Sequence, residues 1–154
     1  SYVHNGGSIG VLVKLDTELA ADAVAAVGKD VAMQSAALNP SYLNRDQVPA
    51  EVIEKEKEIM LSQMAEDPKM ANKPEQVKVK IVEGKVGKYY SENCLLEQAF
   101  VKDDKVSVQG YVDAEAKKLG GTISVVDVVR FERGEGIEKQ EDNLADEVAS
   151  MMKK

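Results

Sequence analysis

The chain has 154 residues, enough for one domain burying ~70% of its unfolded surface, and 44% hydrophobic with 31% charged residues excludes a disordered polymer. A formal net charge of -7, with acids spread along the chain, argues against nucleic-acid binding, which needs lysine and arginine in surplus on one face. The single cysteine, Cys94, and single histidine, His4, exclude an internal disulfide and a zinc site of the usual ligand count.

No apolar run approaches ~18 residues and no basic, apolar leader opens the chain, so neither a membrane span nor a membrane partner is expected. The lone thiol suits a reducing compartment. The expected location is cytoplasmic, with an organelle stroma or matrix as the alternative for a processed precursor.

In chain order, "SIGVLVKL" (8–15) is a β-branched apolar run behind the turn residues Asn5, Gly6 and Gly7, and reads as a mostly buried strand. Asp16 or Thr17 is expected to cap a helix from Glu18 to Leu38, whose Leu19, Val24, Val27, Val31, Ala32 and Leu38 follow a 3.6-residue period. Asn39-Pro40 ends it. Gly28 inside it costs ~1 kcal/mol and marks a place for a break.

A second helix opens at Val48-Pro49-Ala50-Glu51, with Val52, Ile53, Ile59, Met60 and Met64 on its apolar side. A third opens at Lys73-Pro74-Glu75 and carries Val77, Ile81 and Val82 onward to Tyr89 and Tyr90, with "EDPKMANK" between the two as a turn. The pair predicts an antiparallel hairpin roughly 24 Å long. Residues 50–67 hold six acids against Lys55 and Lys57, and residues 73–90 hold five lysines against Glu75 and Glu83. Exposed pairs contribute only a few tenths of a kcal/mol each, so apolar contact must do most of the holding. The first arm's stripe breaks at Lys55–Lys57, which leaves Ile59, Met60 or Met64 for a partner.

After Cys94, "LLEQAFVKDD" reads as irregular apolar chain. Ser107 caps a short helix that runs to Leu119 and stops at Gly120-Gly121. "TISVVDVVRFE" (122–132) reads as a strand with Ile123, Val125, Asp127, Val129 and Phe131 on one face. Asp127 spoils that face, so either a bulge shifts the register there or the face is partly wet. Asp142 or Asn143 caps a last helix, Leu144–Met152, with acids in its first turn and lysines at its end. The two strands lie at opposite ends of the sequence, so they close a small sheet through a non-local pair.

Candidate chemistry is sparse. "RGEGIEK" (133–139) lacks the spacing and the hydroxyl of a phosphate loop, and Glu135 would repel a phosphate, so it reads as a turn closing the strand. His4 and Cys94 lack an orienting third group at recognisable spacing, and Cys94 reads as a packed thiol rather than a nucleophile. Glu54, Glu56 and Glu58 point to different faces of a helix and, with Asp103-Asp104, make a solvated surface rather than a metal site. Tyr89-Tyr90 beside Lys85 and Lys88 reads as packing rather than base stacking. No catalytic, cofactor-binding or metal residue is expected, and the chain does not read as an enzyme.

Several stretches together resemble one family: "SYVHNGGSIGVLV" (1–13), "DVAMQSAALNPSYLNRDQVPAEVIEKEKEI" (30–59), "KIVEGKVGKYYSENCLLEQAFVKDDK" (80–105), "VVRFERGEGIEK" (128–139) and "NLADEVASM" (143–151). In this order they are similar to elongation factor Ts, the guanine nucleotide exchange factor for elongation factor Tu, over nearly the whole chain. The resemblance implies an α+β fold, a small antiparallel sheet with helices on one side and an inserted antiparallel helical hairpin. Residues 1–49 and 92–154 would form a core half-module, and residues 50–91 the coiled-coil or dimerisation arm. It also implies docking on the third domain of elongation factor Tu through the sheet and the final helix, with no cofactor. Self-association through the hairpin, as a structural module without exchange activity, is the alternative.

The expected partner contacts are His4, Ile9, Val11, Ile59, Met60, Met64, Phe131, Leu144 and Val148. His4 lies where some members place a histidine that reaches the partner. One departure matters. Members of the family carry a Thr-Asp-Phe-Val motif just after a strand of the "GVLV" type, whereas here Val13 is followed by Lys14, Leu15, Asp16, Thr17, Glu18 and Leu19. The chain therefore resembles the second half of a long, duplicated member, without the exchange motif and the small N-terminal domain.

Overall fold

The computed structural model describes residues 1–137; the expected last helix, with Leu144 and Val148, lies outside the described residues. The N-terminal strand is one half of a hairpin. β1 (Tyr2–His4) pairs antiparallel with β2 (Ile9–Asp16), Tyr2 opposite Val11 and His4 opposite Ile9. Asn5, Gly6 and Gly7 between them take left-handed backbone with φ of 50°, 62° and 92°, which asparagine and glycine adopt at low cost. β1 itself is too short to show an alternation.

β2 runs on through Asp16, so neither Asp16 nor Thr17 caps the helix that follows. Thr17 Oγ1 instead donates to the carbonyl of Thr122 at 2.6 Å, and the Glu18 carboxylate accepts the Thr122 N–H at 2.8 Å. Both side chains are committed to a segment far along the chain. α1 (Ala21–Leu38) consequently starts later than expected, with no side-chain cap at Ala20. It is unbroken at Gly28, which faces β2; an added Cβ there would meet Leu15 Cδ1 at 3.4 Å, an ordinary contact. It ends on left-handed Asn39 before Pro40, as the sequence predicts.

α2 (Ala50–Glu66) and α4 (Glu75–Asn93), ~25 Å and ~28 Å long at 1.5 Å per residue, make the hairpin. The expected turn between them contains a single helical turn, α3 (Pro68–Ala71), because the Asp67 side chain accepts the Lys69 N–H at 2.8 Å and proline opens the turn. Ile53, Met64, Val82 and Val86 are buried between the arms, with Met60, Ile81, Tyr89 and Tyr90 packed against them. Among the described residues no ion pair crosses from one arm to the other; the arms' lysines pair only within α4, Lys78 with Glu75 and Lys88 with Glu92. Apolar contact holds the seam.

The hairpin's base is clamped to the rest of the chain. Ser41 and Tyr42 N–H groups donate to the Asn93 carbonyl, and Leu95 and Leu96 N–H groups donate to Tyr42 and Leu43 carbonyls, at 2.9–3.1 Å. Arg45 pairs with Glu97 in bidentate fashion through Nε and Nη2 and sits 4.6 Å above the Tyr90 ring. Cys94 is enclosed at this joint, and burial pushes its thiol up from the ordinary value, which suppresses the reactive thiolate.

The stretch read as irregular chain forms a small hairpin, β3 (Ala99–Phe100) with β4 (Asp103–Ser107). Gln34 of α1 organises it. Its side chain is fully buried, donates to Gln98 Oε1 (3.2 Å) and to the Ala99 carbonyl (3.0 Å), and accepts from the Val101 N–H (2.8 Å). A buried glutamine across the core is invisible in a local pattern. α5 (Val108–Leu119) follows, capped by Ser107 Oγ on the Gly110 N–H at 3.1 Å and closed by left-handed Gly120, as expected.

β5 (Ser124–Glu132) completes the sheet beside β2, giving the order β1-β2-β5, antiparallel throughout. The core lies between the sheet's inner face, α1, α5 and the β3–β4 hairpin, built on Val24, Val27, Val31, Leu95, Phe100, Val108 and Val112.

Candidate protein interface

The register of β5 decides which of its side chains face the core and which face solvent. Lys14 faces Asp127 and Leu15 faces Val125, so Val126 is an extra residue on β5: the bulge that Asp127 suggested. Its consequence was not legible locally. Ile123 and Val125 point inward, but beyond the bulge the inward positions are Val128 and Arg130, and Val129 and Phe131 turn outward. The expected single face of odd positions is therefore split.

Two faces of very different character result. The inner row of β2, Ile9, Val11, Val13 and Leu15, packs with Val128 on α1 at Ala32 and Ala36 and on the core. The outer face carries Val3 opposite Gly10 opposite Phe131, then Leu12 opposite Val129 in the next row. Val3 is 68%, Leu12 53%, Val129 39% and Phe131 58% exposed. Gly10 leaves a notch between Val3 and Phe131, since no atom stands within 4 Å of where its Cβ would be. Lys14 and Asp127 form the next, charged row. An antiparallel sheet with one face packed and one in water alternates apolar with polar residues; here the first two rows of the second face are apolar and the third is charged.

The expected contact residues do not assemble into one surface. His4 is exposed at the tip of the β1–β2 turn, with Nδ1 2.9 Å from the Tyr2 hydroxyl. Ile9 is half-buried beside it in the same ladder row, and Phe131 stands on the outer face one row away. Val11 is 1% exposed and Met64 3%, so both side chains are already committed inside the fold. Ile59 and the half-buried Met60 sit on α2, lining a shallow groove with Lys85, Lys88 and Tyr89 of α4. Val3, Leu12 and Val129 were missed; the turn residues Asn5-Gly6-Gly7 between two short apolar stretches are the signal that would have paired Val3 with the β2 strand.

Past β5 the chain turns as the sequence predicts. Gly134 and Gly136 are left-handed, with φ of 91° and 76°; the Glu135 N–H donates to the Glu132 carbonyl at 3.0 Å, and the Arg133 N–H to the Ser8 carbonyl at 2.8 Å. Among the described residues no group of three or more His, Cys, Asp or Glu side chains is placed to hold a metal ion, and no helix is long and apolar enough to cross a membrane.

Comparison with known proteins bears on this architecture directly. A family described as Elongation factor TS matches residues 1–135. The chain is 47% identical over 148 residues to elongation factor Ts of Clostridium kluyveri, covering 96% of this chain and 47% of that protein. It is 48% identical over 152 residues to the Clostridium botulinum protein, covering 99% and 48%, and 49% identical over 153 residues to the Syntrophotalea carbinolica protein, covering 99% and 49%. The chain thus spans about half the length of these relatives. With the family pattern matched over residues 1–135, which take in all of the sheet and the helical hairpin, and relatives 47–49% identical over nearly the whole chain, the chain belongs to the elongation factor Ts family.

Proposed function

We propose that this chain is a docking half of an elongation factor Ts, that it binds elongation factor Tu, and that in a full-length protein it supports GDP/GTP exchange during protein synthesis. The observation that supports this reading most is the bare apolar face of β1, β2 and β5, continuous with the turn that presents His4 and Ile9. A rigid sheet whose second face is already solvent-exposed and apolar docks without refolding, so little ordering entropy opposes association. The hairpin, residues 50–91, acts as an arm separate from the core half-module of residues 1–49 and 92–154.

Exchange asks for more than docking. Nucleotide release is accelerated only by contacts stronger in the distorted state of the GTPase than in the relaxed state, because equal affinity for both shifts nothing. The segment after Val13 carries no Thr-Asp-Phe-Val motif: it continues as strand through Asp16, and Thr17 and Glu18 are tied to Thr122. The chain grips without driving release. No covalent bond is made or broken in either task, so the function is that of an exchange factor's binding element rather than an enzyme. The bacterial relatives support a cytoplasmic place of work.

The test is release of fluorescent GDP from elongation factor Tu. Residues 1–154 are expected to bind the GTPase in calorimetry while leaving the release rate near its spontaneous value; full acceleration by this chain alone would overturn the assignment. A second reading, self-association through the hairpin, draws support from Ile59, Leu61, Val77 and Val79, which are 39–47% exposed on the arms. Sedimentation velocity across a concentration series separates the two, since a dimer without affinity for elongation factor Tu would favour the second.

A further inference from the structure

β2 is paired along its whole length with β5 but only in part with β1. The β1 ladder starts at Tyr2 opposite Val11, so beyond that row residues 12–16 have a neighbouring strand on the β5 side alone among the described residues. Alternate residues of a strand direct their N–H and C=O groups to opposite sides, so part of this stretch offers unpaired ladder groups at an open edge. Beside that edge lies a groove of about 380 Å³ whose walls include Ser1, Val13, Leu15, Ala21, Ala25 and Gly28. Val13 and Leu15 belong to the inner row of β2 yet stay only half-buried, and α1 offers the groove small side chains.

The sheet treats its two edges differently. Along β5 side chains take up backbone donors: Asp127 Oδ1 accepts the Val128 N–H at 2.9 Å, and Glu135 Oε2 accepts the Glu132 N–H at 3.2 Å, which blunts that edge against a further strand. Among the described residues no such bond engages the backbone of residues 12–16. The register also states what would fit there. Continuing from Tyr2 opposite Val11, Ser1 stands opposite Leu12, and chain running into Ser1 would lay successive residues opposite Val13, Lys14, Leu15 and Asp16. Tyr2 packs inward with Val11, Ala32 and Ala36. By the same period of two, the residues opposite Val13 and Leu15 turn into the groove and the one opposite Lys14 turns out. The groove therefore calls for two apolar side chains with one residue between them.

We propose that this edge and groove seat an extended segment that lengthens β1 by four residues, and that the occupant is the polypeptide leading into β1 in a full-length member of the family. Continuity supports that occupant: β1 already runs along the edge and Ser1 lines the groove, so the segment arrives tethered, at high effective concentration. About half of each relative lies outside the stretch that this chain matches, which is ample for the task. Main-chain bonds would supply the hold and the two inward side chains the register. The inference rests on family membership and not on docking to elongation factor Tu.

Amide hydrogen exchange is the first test. In the full-length protein the peptide covering residues 12–16 is expected to exchange about ten-fold more slowly than in residues 1–154 alone. Two four-residue extensions placed before Ser1 then separate strand pairing from general shielding. Thr-Val-Thr-Val sets valine opposite Val13 and Leu15, while Val-Thr-Val-Thr, of the same composition, sets threonine there. The first is expected to slow the amides of this stretch about ten-fold more than the second. Ala25→Glu, at an exposed position on the groove wall, is expected to cancel that gain while shifting the melting temperature of the unextended chain by under about 2 °C. Equal exchange in the full-length protein and in residues 1–154 would overturn the proposal, as would an equal effect of the two extensions or a gain that survives Ala25→Glu. So would protection in residues 1–154 that rises with protein concentration, which would make a second copy the occupant, or protection that needs added elongation factor Tu.

Discussion

Gln34→Leu is the most informative single perturbation of this fold. The substitution nearly conserves volume, so no large cavity opens, but it removes three hydrogen bonds and strands Gln98 Oε1, the Ala99 carbonyl and the Val101 N–H in the interior. Each orphaned buried group costs ~1–3 kcal/mol. β3 is only two residues long and its Ala99 is exposed, so partial relaxation is expected to hold the sum to about 3–5 kcal/mol. That is a large share of the ~5–15 kcal/mol typical of a whole domain. Urea denaturation followed by circular dichroism reads the loss. In the double variant Gln34→Leu with Gln98→Leu no net recovery is expected, because Gln98→Leu relieves the stranded Oε1 but takes away the donor that Gln98 Nε2 gives the Glu92 carbonyl at 2.9 Å. A Gln34→Leu midpoint within ~1 kcal/mol of the parent would refute the claim that this network seats the β3–β4 hairpin on α1.

Three further expectations follow from other parts of the chain. Phe131, 58% exposed, keeps ~115 Å² of an aromatic side chain free for a partner, so Phe131→Ala should weaken docking by up to ~3 kcal/mol yet change folding stability by under ~1 kcal/mol; calorimetry and thermal melts separate the two. Gly121→Ala would place a Cβ 2.7 Å from Leu19 Cδ2, and overpacking at that strap should lower stability by ~1–3 kcal/mol in a urea titration. The Thr122 hydroxyl, followed by backbone N–H groups, holds the Glu18 carboxyl below its ordinary value of 4.5. Its contribution is therefore present above the unfolded-state value and lost as pH falls through the lower folded-state value. Glu18→Gln should flatten that acid limb of the urea midpoint against pH, and an unchanged limb would remove Glu18 from the account.

Much of the architecture was legible in local pattern because its causes are local. Pro49 and Pro74 start helices, Asn39-Pro40 and Gly120 end them, and Ser107 caps α5, each through backbone geometry set within a few residues. The non-local pairing of β2 with β5 and the packing of α2 on α4 followed from the apolar runs, while the antiparallel sense of the sheet came with the family resemblance. The family resemblance was legible too, since it rests on residue order alone.

What tertiary structure decided is which partner each polar group found. Asp16 or Thr17 was expected to cap a helix starting at Glu18, but β2 runs on through Asp16 and Thr122 takes Thr17 and Glu18, so α1 starts late. Asp127 left a bulge and a wet face as alternatives, and only pairing with β2 shows that one extra residue turns Val129 and Phe131 outward and Arg130 inward. Because side chains alternate with period two, a single inserted residue exchanges the faces of everything beyond it, and that exchange creates both the bare apolar surface and the buried guanidinium. Sequence specifies where strands and helices begin; the long-range ladder specifies which of their side chains the solvent, the core or a partner will meet.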